Sequence, residues 1–113
     1  MREEETIQPS ANAVKVEAGG ETGRIRLLGE IDHTAVEQLD QAVADLLDQG
    51  AQRLLVDFAD LSFFDSACIS ALVRARAKAE ERGGTITLTN VNKYARRILD
   101  LTGLTPVFAL DES

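Results

Sequence analysis

The stretch Leu54-Leu55-Val56-Asp57-Phe58-Ala59-Asp60-Leu61-Ser62-Phe63-Phe64-Asp65-Ser66-Ala67-Cys68-Ile69 decides the fold. Its first five residues are a nearly continuous apolar run, the pattern of a central strand covered more fully than its neighbours. Asp60-Leu61-Ser62 reads as a connection, and from Asp65-Ser66 onward Cys68, Leu72, Ala75 and Ala79 keep helical spacing up to Gly83-Gly84. A buried strand that feeds directly into a helix start is half of a strand-helix-strand crossover.

Upstream, Val14 and Val16 alternate with Lys15 and Glu17. Gly19-Gly20 and Gly23 supply turn residues, and Ile25 and Leu27 alternate with Arg24 and Arg26. This predicts a hairpin with one wet face. Gly29-Glu30-Ile31-Asp32 closes it, and Thr34-Ala35-Val36-Glu37 has the spacing of a capping box, so a helix is expected from about Thr34 to Gln49. Val36, Leu39, Val43, Leu46 and Leu47 form its buried stripe, and Gly50 supplies the stop. Downstream, Ile86 and Leu88 alternate with threonines over Thr85–Thr89, a strand with one covered face. A third helix follows Asn92, with Tyr94, Ile98 and Leu101 as its stripe and Gly103 as a left-handed terminator. Leu104–Leu110 fits a final strand that Pro106 marks as an edge.

The class is therefore α/β: a small mixed, mainly parallel sheet entered by a hairpin. Because the outer strands alternate, helices are expected chiefly on one face. Residues 1–12, polar and without periodicity, read as a flexible leader, and residues 13–113 as a single domain with no internal repeat or linker.

Composition narrows the function. Of 113 residues, 44% are hydrophobic and 27% charged, an ordinary globular balance. The net charge of -7 opposes a nucleic-acid backbone, so no direct nucleic-acid binding is expected. Cys68 is the single cysteine, which suits a reducing compartment. The start Met1-Arg2-Glu3-Glu4-Glu5 is unlike a signal peptide and no run approaches a membrane span, so the expectation is a cytoplasmic protein without membrane association. Acidic residues gather at Glu37, Asp40, Asp45 and Asp48, and basic ones at Arg74, Arg76, Lys78, Arg82, Lys93, Arg96 and Arg97. Such asymmetry can orient a protein partner, and it is equally what solvated helix faces look like.

Asp65 and Ser66 stand where a helix presents its amide groups and the positive end of its dipole. A phosphate on Ser66 could be held there, and its charge of about -1.5 to -2 would change a partner's docking more than the fold. Capping alone is the other common job of these residue types. No Gly-x-Ser-x-Gly elbow surrounds Ser66 and no phosphate-binding Gly-Lys loop exists, so neither a hydrolase nor a kinase is read here. One His and one Cys at unrelated positions build no metal site, no cofactor is expected, and His33 reads as a loop or first-turn residue.

Gly29-Glu30-Ile31-Asp32, Leu55-Val56-Asp57-Phe58, Phe63-Phe64-Asp65-Ser66, Gly83-Gly84 and Leu101-Thr102-Gly103-Leu104 occur in this order between Val14 and Phe108. In that order and spacing the chain resembles a STAS domain of the anti-sigma factor antagonist family. The resemblance implies a non-enzymatic bacterial regulator of transcription that works by partner switching. Its partner would be an anti-sigma factor that is also a serine kinase, which phosphorylates the serine after the aspartate, here Ser66, with a phosphatase to reset it. The binding surface is then expected at Glu30, Ile31, Asp32 and His33 together with Asp65, Ser66, Ala67, Cys68 and Ile69. The family commonly continues with Ser-Gly where this chain has Ala67-Cys68, which removes a hydroxyl and adds a side chain where a partner's backbone could approach. Two other readings stay open: a STAS scaffold or transporter-associated subunit whose serine is not modified, and a thiol-dependent role for Cys68 at a helix start. Oligomeric state is not legible.

Overall fold

The computed structural model describes residues 13–106 and 108–111, so the leader expected over 1–12 and Val107 lie outside the described residues. In chain order the elements are β1 (Val14–Gly19), β2 (Thr22–Ile31), α1 (Val36–Asp48), β3 (Arg53–Phe64), α2 (Ser66–Glu81), β4 (Thr85–Thr89), α3 (Lys93–Leu101) and β5 (Ala109–Asp111). The sheet runs in the order β1-β2-β3-β4-β5, so β3 is its middle strand, as the apolar run at Leu54 implied. β1 pairs antiparallel with β2, and β2, β3, β4 and β5 pair parallel.

This order explains the one-sided layer of helices. Each parallel connection steps to the adjacent strand in the same direction, and crossovers are right-handed in about 98% of cases, so successive helices land on the same face. On that face Ile25 and Leu27 of β2, Leu54, Val56 and Phe58 of β3, and Ile86 and Leu88 of β4 are buried. α1 sets Leu39, Val43, Leu46 and Leu47 against it, and α2 packs on β3 and β4 through Cys68, Ala71, Leu72, Ala75 and Ala79. The small side chains of α2 let that helix lie close to the sheet. On the opposite face the register aligns Lys15 and Glu17 with Arg26 and Arg24, and these with Asp57 and Leu55, then Thr89 and Thr87.

Several local expectations change. Gly23 is not a turn residue: it lies buried in β2, where an added Cβ would stand 2.9 Å from the Leu46 side chain, so it admits α1. Gly20-Glu21 alone makes the hairpin turn between the paired Gly19 and Thr22. The capping box at Thr34–Glu37 does not form. α1 starts at Val36, and Asp32 takes the work, its carboxylate accepting from the Thr34 amide (3.0 Å), the Ala35 amide (3.2 Å) and the Thr34 hydroxyl (2.6 Å). Asp32 takes the Thr34 amide that Glu37 would have accepted in the box, and it draws the Thr34 hydroxyl to itself as a donor, so that hydroxyl is turned away from the Glu37 amide. Asp60-Leu61-Ser62 is no connection but part of β3. In α3 the buried residues are Ala95 and Leu99, while Tyr94 and Leu101 are 45% and 76% exposed. The final strand begins at Ala109, later than Leu104. Gly50 and Gly103 do follow α1 and α3 in the left-handed region, at φ 99° and 77°.

Gly84 carries the tightest constraint on the chain's path. A Cβ there would meet the Gln52 carbonyl oxygen at 2.5 Å, where β4 comes alongside β3. Backbone cannot yield as a side-chain tip can, so Gly84→Ala is expected to cost about 1–3 kcal/mol, read as a lowered urea midpoint with an unchanged slope.

Candidate functional site

β4 pairs with β3 only from Arg53 to Asp57, whereas β2 stays with β3 as far as Ile31↔Phe64. The β2–β3 ribbon thus projects beyond the rest of the sheet. Two register shifts, at Arg26/Leu28 and Gly29/Glu30, bend it, and Gly29 serves the second by adopting φ 67°. Asp57 stands where β4 departs. Its carboxylate accepts from the Ala59 amide and from the Asn90 side-chain amide, both at 2.9 Å, and Asn90 itself takes a left-handed φ of 56° to turn towards α3. Burial works against charge on Asp57, but the Asn90 and Ala59 hydrogen bonds and the Arg24 and Arg26 guanidiniums hold its carboxyl below the usual range. Arg26 also pairs with Asp60 at 2.5 Å.

The ribbon delivers the two expected segments to one place. Ile31 and Phe64 are paired neighbours, so Asp32, one residue on, and Asp65-Ser66 emerge side by side at the carboxyl ends of the parallel strands. This is where open α/β sheets place their sites. Asp65 is the N-cap of α2, in extended conformation, and its Oδ1 accepts from the Ala67 amide (3.0 Å) and the Cys68 amide (3.3 Å). Ser66 is the first helical residue and is exposed. The amides expected to await a phosphate are therefore filled by the chain's own carboxylate. Asp32 does the same for the turn entering α1, and its Thr34 hydrogen bond heads the causes that lower its pKa. Asn92 caps α3, accepting from the Ala95 amide at 2.8 Å.

Of the expected surface residues, Glu30, His33 and Ser66 are exposed, and Asp32, Asp65, Ala67 and Ile69 are partly so. Ile31 and Cys68 are fully buried and offer no contact area. Cys68 consequently does not obstruct a partner's backbone. Burial, aided by the Asp65 charge, pushes its thiol up to about 12, so almost no thiolate exists at neutral pH and a nucleophilic role has no support.

Phe63 and Tyr94, which the sequence reading did not assign to the binding surface, also stand at this end. Phe63 is 43% exposed, opposite in the pleat to buried Phe64. Phe64 packs edge-on against Phe58 (5.9 Å between centroids) and against Tyr94 of α3 (6.0 Å). Tyr94 therefore stands over the residue that precedes Asp65-Ser66. The Phe63-Phe64 doublet was the available signal, since a strand cannot bury both of two adjacent side chains on one face.

Comparison with known proteins bears on this arrangement. The family model described as "Mlab, STAS domain" matches residues 14–109. The chain belongs to the STAS domain family. It is 32% identical over 87 residues to the anti-sigma F factor antagonist of Lysinibacillus sphaericus, covering 76% of this chain and 74% of that protein. It is 30% identical over 81 residues to the anti-sigma-B factor antagonist of Bacillus subtilis strain 168, covering 72% and 73%. Among solved structures it is similar to the anti-sigma factor antagonist SpoIIAA in its unphosphorylated form, with TM-score 0.73, 27% identity and 89% of each chain covered. The phosphorylated form of Bacillus SpoIIAA gives TM-score 0.71 and 30% identity over 89% of this chain and 93% of that one. The STAS fold of this chain is thus that of anti-sigma factor antagonists, which are regulators. Among the described residues, no helix is long and apolar enough to cross a membrane.

Two consequences are measurable. Asp65→Ala should cost about 1 kcal/mol through loss of the α2 cap, while Ser66→Ala, at an exposed position, should leave the thermal midpoint nearly unchanged. For Asp57 the folded pKa lies below the ordinary 3.8, so its contribution is complete above that value and disappears as pH falls through the folded pKa. The stability gap between wild type and Asp57→Ala, measured by urea unfolding, is expected to be constant from pH 7 to 5 and to shrink below about pH 4.

Proposed function

We propose that this chain is an anti-sigma factor antagonist. It binds a cognate anti-sigma factor that is also a serine kinase, through the end of the sheet carrying Glu30, Asp32, His33, Asp65 and Ser66, and so releases a sigma factor for transcription. Phosphorylation of Ser66 by that kinase ends the binding, and a serine phosphatase restores it. The protein is a cytoplasmic switch and not an enzyme.

The observation that carries this reading is the exposed Ser66 hydroxyl on the first turn of α2, directly after a cap that already satisfies the local amides. With the amides of Ala67 and Cys68 occupied, a phosphate gains little from them and the fold changes little. The partner meets a different surface: about -1.5 to -2 of new charge beside Asp65, Asp32 and Glu30. A partner surface that accepts the neutral hydroxyl at close range loses that contact and faces an enlarged negative field. The relatives' role as antagonists of anti-sigma factors supports the choice of partner, and the record of both phosphorylation states for SpoIIAA supports the choice of switch.

Incubation with the cognate kinase and ATP, followed by mass spectrometry, is expected to find one phosphate, on Ser66, and none on Ser66→Ala. Ser66→Asp should weaken kinase binding at least tenfold, about 1.4 kcal/mol, with unchanged melting. An unmodified Ser66 together with equal binding of wild type and Ser66→Asp would instead assign the chain to the STAS scaffolds.

A further inference from the structure

α3 packs into the molecule through Ala95 and Leu99 alone among its fully buried residues. At about 100° per residue, Tyr94, Ile98 and Leu101 fall together on an adjoining arc of the helix, and Lys93 and Arg97 on the arc beyond them. Tyr94 is 45% and Leu101 76% exposed, and Ile98 is partly buried against the core. Tyr94 and Leu101 are thus turned outward on either side of a half-buried Ile98, with cations along the outer side of the ridge. Neither Lys93 nor Arg97 has an ion-pair partner among the described residues, in contrast to Arg24, Arg26, Arg74, Arg76 and Arg82.

Leu101 is the most exposed large hydrophobic residue described, and isolated exposed leucines are ordinary. This one is not isolated. Tyr94 and Ile98 precede it by seven and three residues, the spacing of helix-in-groove anchors. Tyr94 also rests edge-on against Phe64, which is itself buried, so the ridge is anchored on the strand end that precedes Ser66. Local charge reverses along this line. The Ser66 end presents Glu30, Asp32 and Asp65, whereas α3 carries Lys93, Arg96 and Arg97 against Asp100, whose carboxylate accepts from the Thr105 hydroxyl. A net charge of -7 for the whole chain makes this basic, apolar strip a poor match for an anionic membrane and a good match for an acidic protein segment.

We propose that the Tyr94–Ile98–Leu101 ridge, with Lys93 and Arg97, is a second docking surface for the anti-sigma factor, taking a segment that presents apolar side chains flanked by carboxylates. It rests on the function proposed above and adds a contact that does not include the serine. The α3 contact does not itself sense the charge on Ser66: it holds the kinase over its substrate before phosphorylation, and loss of the Ser66 contact then lowers the combined affinity enough to end the binding.

The test uses full-length protein and a panel of purified anti-sigma factors from the source organism, titrated without ATP. Four proteins are compared: wild type, Ser66→Asp, Leu101→Glu and the double variant Lys93→Glu/Arg97→Glu. The ridge variants change exposed side chains, and circular dichroism melting checks that they fold. Both are expected to lose at least tenfold in affinity, and the charge-reversed protein is expected to lose most of the wild type's salt dependence. Ridge variants that bind like wild type, while Ser66→Asp does not, would overturn the second surface and leave the switch standing. Weakened ridge variants with an unaffected Ser66→Asp would support the surface and remove the switch. If no anti-sigma factor binds wild type, both readings fall. Wild-type self-association in sedimentation, or binding to vesicles of anionic lipid, that Leu101→Glu abolishes would assign the ridge elsewhere and overturn the proposal.

Discussion

The parallel pairing of β2 with β3 beyond Asp57 is the constraint on which the rest depends. Had β3 ended at Phe58, as a short buried strand would, the chain entering α2 would emerge near the carboxyl end of β4 and far from the turn at Asp32. Instead six further residues, Ala59 to Phe64, follow β2 to its end. The extension has only one neighbour and so needs other supports. Arg26 reaches Asp60, Phe64 is held between Phe58 and Tyr94, and Leu61 is buried. Asp57 fixes the branch point by bonding to both departing directions, Ala59 along β3 and Asn90 towards α3.

That branch places the amino ends of α1, α2 and α3 at one end of the sheet, and it also explains how they coexist. Three helix dipoles pointing the same way concentrate positive potential. The entry to α1 meets it with Asp32 and α2 with Asp65, while α3, with neutral Asn92 as its cap, keeps its basic side chains. An acidic patch and a basic one therefore lie at the same end of the molecule, separated by Phe64 and Tyr94. A modification that alters charge acts on the first patch and leaves the second unchanged.

Much of this was legible in the residues. The class, the parallel crossovers, the central place of the Leu54 strand, the buried stripe of α1, the start of α2 at Ser66 and the one-sided helical layer follow from periodicity and turn chemistry, because burial patterns there are set by a single neighbouring layer. What was not legible depends on competition between distant or alternative partners. Asp32 against Glu37 is a contest between two carboxylates for the Thr34 amide, and spacing alone cannot rank them. Asp60-Leu61-Ser62 looks like a connection by composition, and only pairing with β2 makes it strand. Gly23 looks like a turn residue until Leu46 is brought against it from another element. The fold brings Glu30 to His33 and Asp65 to Ile69 to one end of the sheet, and the burial of Ile31 and Cys68 there reflects pleat and helix phase relative to the core.

The misassigned stripe of α3 shows why phase matters. Tyr94, Ile98 and Leu101 have helical spacing as good as that of the buried stripe in α1, and spacing reports only that side chains share a face. Which face turns inward is decided by what precedes the helix: Asp57 and the left-handed Asn90 fix the direction of entry, and the Asn92 cap fixes where the first turn begins. With that phase set, Ala95 and Leu99 face the core, Ile98 lies half-buried at its margin, and Tyr94 and Leu101 are carried outward. Burying the larger stripe would require rotating the helix and breaking the cap or the Asp57–Asn90 hydrogen bond. Apolar side chains that the fold holds at the margin of its core, with Tyr94 and Leu101 facing outward, are chemically different from a core residue left exposed by poor packing, and this is the reason to treat α3 as a surface built for contact.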